Sequence, residues 1–265
     1  MENIYNEILE LSRGKSVGVL VTVVRKTGSG PAAAGTKMLV YPDGSIVGTV
    51  GGGTIEKMAL EKALKIFKTH ENCLEEFTLN EPESAGMPTG MLCGGTAALF
   101  FEYFAPKNHI YIFGAGHVGK ALVYHLRNLD YFVTVIDDRK EVLDQLEGAN
   151  EKRLNSFEHA LDNYPVAENA YFIIVTYQHK YDGLVLNRIY KSGWNPKYVG
   201  MVSSRSKQKI LLDRLRAEVP DANLENCFIP VGLDVGGGSP DEIALSIIAE
   251  IQSVRYGKSG GHLRR

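Results

Sequence analysis

Residues 110–123 read IYIFGAGHVGKALV. A short apolar run meets glycines at 114, 116 and 119, and an amphipathic pattern follows. At that spacing each glycine has a mechanical use. Gly114 permits a tight turn, Gly116 lets the main chain approach a pyrophosphate, and Gly119 lets the helix pack closely on the strand. The helix that begins there offers unpaired N–H groups and a partial positive charge to phosphates. Downstream, FVTVIDDR (132–139) supplies a second strand ending in Asp137, at the separation where an acidic side chain meets a ribose diol. His117 falls in the first helical turn, either solvated or in contact with a bound cofactor.

The rest of the second half alternates in the same way. Strands are expected at 110–114, 132–136, 171–176 and 197–202. A helix over 117–129 places Val118, Ala121, Leu122, Leu126 and Leu129 on one side. SPDEIALSIIAEI (239–251) announces a last helix, with Ser239 as N-cap, Pro240 as first helical residue and Glu242 as capping-box partner. Strands alternating with helices predict a parallel sheet covered on both faces, a Rossmann-like domain. Ligands gather beyond strand C-termini in such sheets. Two segments are therefore candidates: the loop TYQHKYD (176–182), with Tyr177, His179 and Asp182, and MVSSRSKQK (201–209), which opens a helix with Arg205, Lys207 and Lys209. Simple solvation of these polar residues is the plainer alternative. Asp137 and Asp138 would repel a 2′-phosphate and favour NAD(H), whereas Arg139 could pair with one and favour NADP(H). A Rossmann core that no longer binds a nucleotide stands beside both.

Upstream the pattern changes. The boundary falls in FAPKNH (104–109), which divides the chain into residues 1–106 and 107–265. The first half reads as helix, strands, helix, strands: SVGVLVTVV (16–24) as a strand, Pro42-Asp43-Gly44 as a hairpin turn, and EEFTLN and TAALFFEYF as later strands. A helix near 54–67 carries Ile55, Met58, Ala59, Ala63, Ile66 and Phe67 on one face. The fold class is thus α/β, a mixed α/β amino-terminal domain followed by a Rossmann-like parallel-sheet domain. Gly51, Gly52 and Gly53 open the first domain's long helix, where N–H groups could converge on a phosphate. Glu56 in the first turn competes for that positive end. It could instead bond the amino and ring N–H groups of a pterin, or simply cap the helix.

Of the 265 residues, 44% are hydrophobic and 23% charged, with a formal charge of -2, so no nucleic-acid or anionic-membrane partner is expected. No apolar run is long enough to cross a bilayer, and the acidic start MENIYNEILELSRGK is unlike a secretory signal. A cytoplasmic location is expected. Cys73, Cys93 and Cys227 are too dispersed for a disulfide framework or a structural zinc site, and no metal site is expected.

Seven segments in order, GSGPAAAGTKMLV, GTVGGGTIE, GMLCGG, IYIFGAGHVGKAL…VTVIDDR, TYQHKYD, YVGMVSSRSK and PVGLDVGGGSPDEIALSIIAEI, resemble the XdhC/CoxI family. Its members are accessory proteins for the maturation of molybdenum hydroxylases such as xanthine dehydrogenase. The resemblance runs from about residue 16 to 254. It implies binding of molybdenum cofactor (its molybdopterin form) as cargo, help in its sulfuration by a cysteine desulfurase, and delivery to the apo-hydroxylase. It carries over Gly51, Gly52, Gly53, Glu56, Cys93, Gly94 and Gly95 around the cofactor, and Gly114, Gly116, His117 and Gly119 as the Rossmann turn. Ala32 stands where the family often has Arg, and Thr54 where many members have Cys. Cys93 is then the motif cysteine left to approach molybdenum or a transferable sulfur, its alternative being a core position before an apolar strand. The cargo is expected between the glycine-rich domain and the Rossmann mouth. Asp137, Arg139, His179 and Arg205 complete the candidate cofactor-binding set, with NAD(P) as the nucleotide and a homodimer as the default assembly. The competing readings are an NAD(H)-dependent oxidoreductase using His179 or His117 as acid/base, and an NADH-sensing regulator.

Overall fold

The computed structural model describes residues 2–14, 16–28, 33–78, 87–88, 95–105, 107–164 and 166–264. It separates into two compact units, Met1–Lys107 and Asn108–Arg265.

The amino-terminal unit runs α1 (Glu2–Ser12), β1 (Gly18–Gly28), β2 (Lys37–Val40), β3 (Ile46–Gly48), α2 (Gly53–Thr69), β4 (Cys73–Thr78), β5 (Met87–Pro88) and β6 (Gly95–Phe104). The strands form one sheet in the order β3-β2-β1-β6-β4-β5. Its pairings are antiparallel apart from the short parallel β4–β5 contact. The Pro-Asp-Gly hairpin is present: Asp43 Oδ1 accepts from the N–H and Oγ of Ser45, at 2.9 and 2.7 Å, and Gly44 takes φ +82°. The helix α2 follows the predicted stripe and buries Ile55, Ala59, Ala63 and Ile66 against Val19, Val21, Leu99 and Phe101. The helix α1 covers part of the other face through Leu11, Leu20 and Leu39. The strand expected at 16–24 starts at Gly18 and continues to Gly28, with a bulge between Val23 and Arg25 that turns Val24 outward.

The carboxy-terminal unit runs β7 (Asn108–Phe113), α3 (His117–Leu126), β8 (Tyr131–Asp137), α4 (Lys140–Asp144), β9 (Glu151–Leu154) and β10 (Tyr171–Ile174). It continues with α5 (His179–Lys191), β11 (Tyr198–Met201), α6 (Arg205–Glu218), β12 (Cys227–Phe228) and α7 (Pro240–Tyr256). Its six strands are ordered β12-β11-β10-β7-β8-β9, and every pairing is parallel. Renumbered from β7, this is the 3-2-1-4-5-6 order of a dinucleotide fold. The chain winds outward from β7 in one direction, crosses over, and continues from β10 in the other. All seven residues of β8 are buried, as expected of a strand covered on both faces. The core lies in two layers. One packs α3 and α7 on the sheet through Leu122, Leu126, Ile247 and Ile251, and the other packs α5 through Val185, Leu186 and Ile189.

The helix α3 stops at Leu126 rather than 129, because the 127–130 turn already feeds β8. The segment expected as a loop, 176–182, is a loop only to Gln178; His179 and Asp182 stand in the first turn of α5. The capping box on α7 forms as predicted, with Glu242 accepting from the N–H groups of Ser239 (2.9 Å) and Gly238 (3.0 Å). Hydrogen bonds from the Ser239 backbone and side chain pull the Glu242 carboxyl down to about 2. Among the described residues, no helix is long and apolar enough to cross a membrane.

Candidate functional site

A cleft of about 540 Å³ opens at the C-terminal ends of β7, β10 and β11, where the strand order reverses. The glycine turn forms its floor. A Cβ on Gly119 would sit 1.9 Å from the Gly114 carbonyl oxygen, so only glycine lets α3 lie this close to the strand. A Cβ on Gly116 would meet nothing within 4 Å. Gly116 also lines the cleft and caps α3, so its bareness leaves room for a ligand and not for a neighbouring side chain. The first N–H groups of α3 have no intrahelical acceptors. They face a space that suits a phosphate. His117 is exposed on the rim, with Lys120 one turn on.

The wall beyond β8 differs from the expectation. Asp137 is fully buried. Its Oδ2 accepts from Ala115 N–H (2.7 Å) and Arg139 Nη2 (2.8 Å), and its Oδ1 from Arg139 N–H (3.0 Å) and Nε (2.9 Å). Burial opposes the charge, but hydrogen bonds from Arg139 and Ala115 outweigh it and hold the carboxyl below its ordinary value. Both carboxylate oxygens of Asp137, the residue expected at a ribose, are here engaged in an internal tie between glycine turn and guanidinium. Arg139 in turn lies over the Tyr177 ring, its Cζ 4.2 Å from the centroid, and Tyr177 Oη donates to Asp138 Oδ2 at 3.0 Å. Arg139 and Tyr177 both line the cleft.

The opposite wall carries a polar chain. Asp182 is buried at 5% exposure; its Oδ1 accepts from Thr176 Oγ1 (2.5 Å) and its Oδ2 lies 3.3 Å from His179 Nδ1. Burial pushes the Asp182 carboxyl up, against the hydrogen bonds from Thr176 and His179. The other imidazole nitrogen, Nε2, is 2.6 Å from Lys207 Nζ at the start of α6. An ammonium can only donate. Nε2 therefore accepts, and Nδ1 carries the proton toward Asp182. Thr176, His179, Asp182 and Val202 line the cleft. Arg205 is the first residue of α6, and its side chain lies outside the described residues. The carboxy-terminal unit thus brings together Gly114, Gly116, His117, Gly119, Arg139 and His179, with Asp137 behind the wall.

Among the lining residues that the sequence did not single out are Val142, Gln145 and Leu146. They recur at helical spacing just after Arg139, a signal obscured because α4 is a single short turn.

In the amino-terminal unit the candidate glycines make a tight entry to α2, with φ of +121°, +69° and +62° at Gly51, Gly52 and Gly53. Gly51 N–H donates to Thr49 Oγ1 (3.0 Å) and Gly52 N–H to Glu56 Oε2 (3.3 Å). Thr49 donates its hydroxyl to the same Glu56 oxygen. Glu56 therefore caps its own helix, and the amides available to an anion there are reduced. Gly95 is set by pairing, since a Cβ would fall 2.0 Å from the Thr27 carbonyl oxygen across β1 and β6. Cys93 and Gly94 lie outside the described residues. Among the described residues no cluster of His, Cys, Asp and Glu is arranged to hold a metal ion.

Residues 110–251 match the XdhC Rossmann domain, and residues 11–78 match the XdhC and CoxI family. The uncharacterized protein YqeB of Escherichia coli (strain K12) is 28% identical over 265 residues, 98% of this chain and 47% of that protein. A probable xanthine dehydrogenase subunit from Bacillus subtilis (strain 168) is 26% identical over 162 residues, 60% of this chain and 47% of that protein. The chain spans about half the length of these curated relatives. The crystal structure of a xanthine dehydrogenase from Bacillus halodurans superposes with a TM-score of 0.52 at 20% identity, covering 97% of both chains, a likeness of fold. The Rossmann match alone takes in more than half of the sequence, and with the amino-terminal match it leads to one conclusion: the chain belongs to the XdhC and CoxI family.

Proposed function

We propose that this chain is an accessory factor in the maturation of a xanthine dehydrogenase-type molybdenum hydroxylase. In this reading it binds molybdenum cofactor as cargo, receives sulfur for it from a cysteine desulfurase, and hands it to the apo-hydroxylase in the cytoplasm, working as a homodimer. Family membership in both halves supports the accessory role, as does the name of the B. subtilis relative. The observation that carries the ligand-binding part is the bare Gly116 at the mouth of a 540 Å³ cleft, beneath the start of α3. A pyrophosphate fits that floor, so the cleft takes the nucleotide-bearing end of a ligand, either NAD(P) or a dinucleotide form of the cargo.

Cys93 is the residue assigned to the sulfur or the metal. A thiolate is both a soft ligand and a strong nucleophile. For a pterin to use Glu56, the carboxylate has to exchange Thr49 and the Gly52 amide for the pterin's N–H groups. The test is purification from a cofactor-producing host, followed by molybdenum and pterin analysis and reactivation of an apo-hydroxylase. The protein should carry both and restore activity, and Cys93→Ala should abolish sulfurated transfer. Purified protein devoid of pterin that leaves the hydroxylase unaffected would sink the proposal.

A second reading, an NAD(H)-dependent oxidoreductase, draws on the wall formed by Asp182 and His179. The buried carboxylate fixes the imidazole tautomer, and in this reading a substrate displaces the Lys207 ammonium from Nε2, which then takes or returns a proton in the cleft. Oxidation of NADH by a panel of carbonyl compounds, lost in His179→Gln, would favour it; no turnover with any member of the panel would discard it.

A further inference from the structure

In a dinucleotide fold the acid ending the second strand grips the ribose from the side of the cleft. Here Asp137 faces inward, and its hydrogen bonds fix the plane of the Arg139 guanidinium. One face of that plane rests on Tyr177. The ring is itself held by its hydroxyl on Asp138 and by packing against Phe157 and Tyr181, centroids at 6.0 and 5.3 Å. Beside Arg139, Val142 and Leu146 give the cleft an apolar strip, and Gln145, exposed at its edge, offers an amide.

We infer that this corner is a nucleobase seat. A purine stacks on the guanidinium face turned away from Tyr177, its edge read by the Gln145 amide and its rim covered by Val142 and Leu146. The inference rests on the proposal that the cleft takes a nucleotide, and it names the part of the ligand held there. Three features point to a base and not to a second phosphate. The Arg139 charge is balanced by Asp137, and Asp138 beside it leaves the corner net negative. The Nε–Nη2 edge of the guanidinium is taken by the bidentate pair, so the face turned away from Tyr177 is a flat, weakly hydrated surface suited to stacking. An amide that both donates and accepts matches the N6/N7 edge of adenine. Arg139 is already paired with Asp137, and Asp138 beside it would repel a 2′-phosphate, so the ligand is an adenine nucleotide with an unmodified ribose.

The test compares ADP, 2′-phospho-ADP-ribose and inorganic pyrophosphate by calorimetric titration of the full chain. Wild type should bind ADP well above pyrophosphate and above the 2′-phosphorylated compound. Arg139→Lys keeps the charge and loses the plane; it should weaken ADP about tenfold and leave pyrophosphate unchanged. Gln145→Ala, at an exposed position that the fold does not need, should weaken ADP several-fold, again without effect on pyrophosphate. If wild type binds ADP and both variants bind it equally well, the base seat is wrong while the nucleotide cleft survives. If wild type prefers the 2′-phosphorylated ligand, the charge argument is wrong. If wild type binds neither ADP nor pyrophosphate, the cleft reading fails, and the base seat with it.

Discussion

Adding one methyl group to the glycine turn should have opposite consequences at two positions three residues apart. At Gly119 the new Cβ would lie 1.9 Å from the Gly114 carbonyl oxygen, and real Cβ atoms essentially never come within 3.0 Å of such a neighbour, so helix and strand must separate by about an ångström. The obstacle is main chain, which cannot rotate aside. Alanine gains about 1 kcal/mol in helix propensity over glycine. Overpacking against a rigid neighbour costs about 1–3 kcal/mol or more, and here the upper end applies. The net loss of about 2 kcal/mol corresponds to a melting temperature lower by about 4–8 °C for a unit of this size. At Gly116 the same methyl meets nothing and φ is -68°, so the fold should be indifferent. Its effect falls on the ligand, because the methyl projects into the space assigned to a pyrophosphate. Trp194 is the sole tryptophan and stacks on Phe172 at 5.7 Å, so its fluorescence follows the carboxy-terminal unit alone. Thermal melts read at Trp194, paired with pyrophosphate titration, should show Gly119→Ala melting early. Gly116→Ala should melt like wild type with binding lost. A Gly119→Ala protein that melts with wild type, or a Gly116→Ala protein that melts early, would falsify the account of the turn.

Three further outcomes are expected. Asp137→Asn leaves the Arg139 guanidinium without its buried partner and should cost about 3 kcal/mol at neutral pH by urea denaturation. Because the folded Asp137 value is lowered, its contribution is present above about pH 4 and lost as pH falls, so the gap to wild type should close in acid; a gap that widens there would reverse the assignment. Asp182 is raised by burial, so its contribution is present below about pH 4 and lost as pH climbs through its folded value. Asp182→Asn should therefore gain on wild type as pH rises from about 4, and a difference that stays constant or moves the other way would contradict this. Glu250 is buried at 7% exposure and accepts from Tyr198 Oη (2.6 Å) and Gly232 N–H (3.0 Å). Glu250→Ala should cost about 1–3 kcal/mol by stranding a buried hydroxyl, with Glu250→Gln recovering most of it; equal loss in both would point to charge and not to hydrogen bonding.

The Rossmann half was legible because periodicity and glycine spacing are local. The strand, turn and helix at 108–126, the buried strand ending in Asp137 and the Ser239 capping box all follow from near neighbours in sequence. Which way Asp137 faces was not legible, since that depends on a competition between a ligand outside and the Ala115 amide within, and spacing cannot rank the two. Likewise Lys207 sits far along the chain from His179, and their contact exists only because β10 and β11 are adjacent and parallel. In the amino-terminal half, Gly51–Gly53 and Glu56 advertised a helix entry without telling whether cap or ligand takes the amides; Thr49, unremarkable in the sequence, joins Glu56 in the cap seen here. The short elements α4, β5, β9 and β12 carry too few residues for any period to emerge.

The position of β6 has its own consequence. It is the only described link between the β1–β2–β3 ribbon and the β4–β5 pair, yet it is the final strand of its unit. During synthesis, β1 must wait with an open edge until residue 104 has left the ribosome. A chain cut short ahead of residue 95 would expose that edge permanently, and exposed edges recruit other chains. Completion of the first unit and the start of the second are thus nearly simultaneous events on the nascent polypeptide, because only residues 105–107 separate β6 from β7.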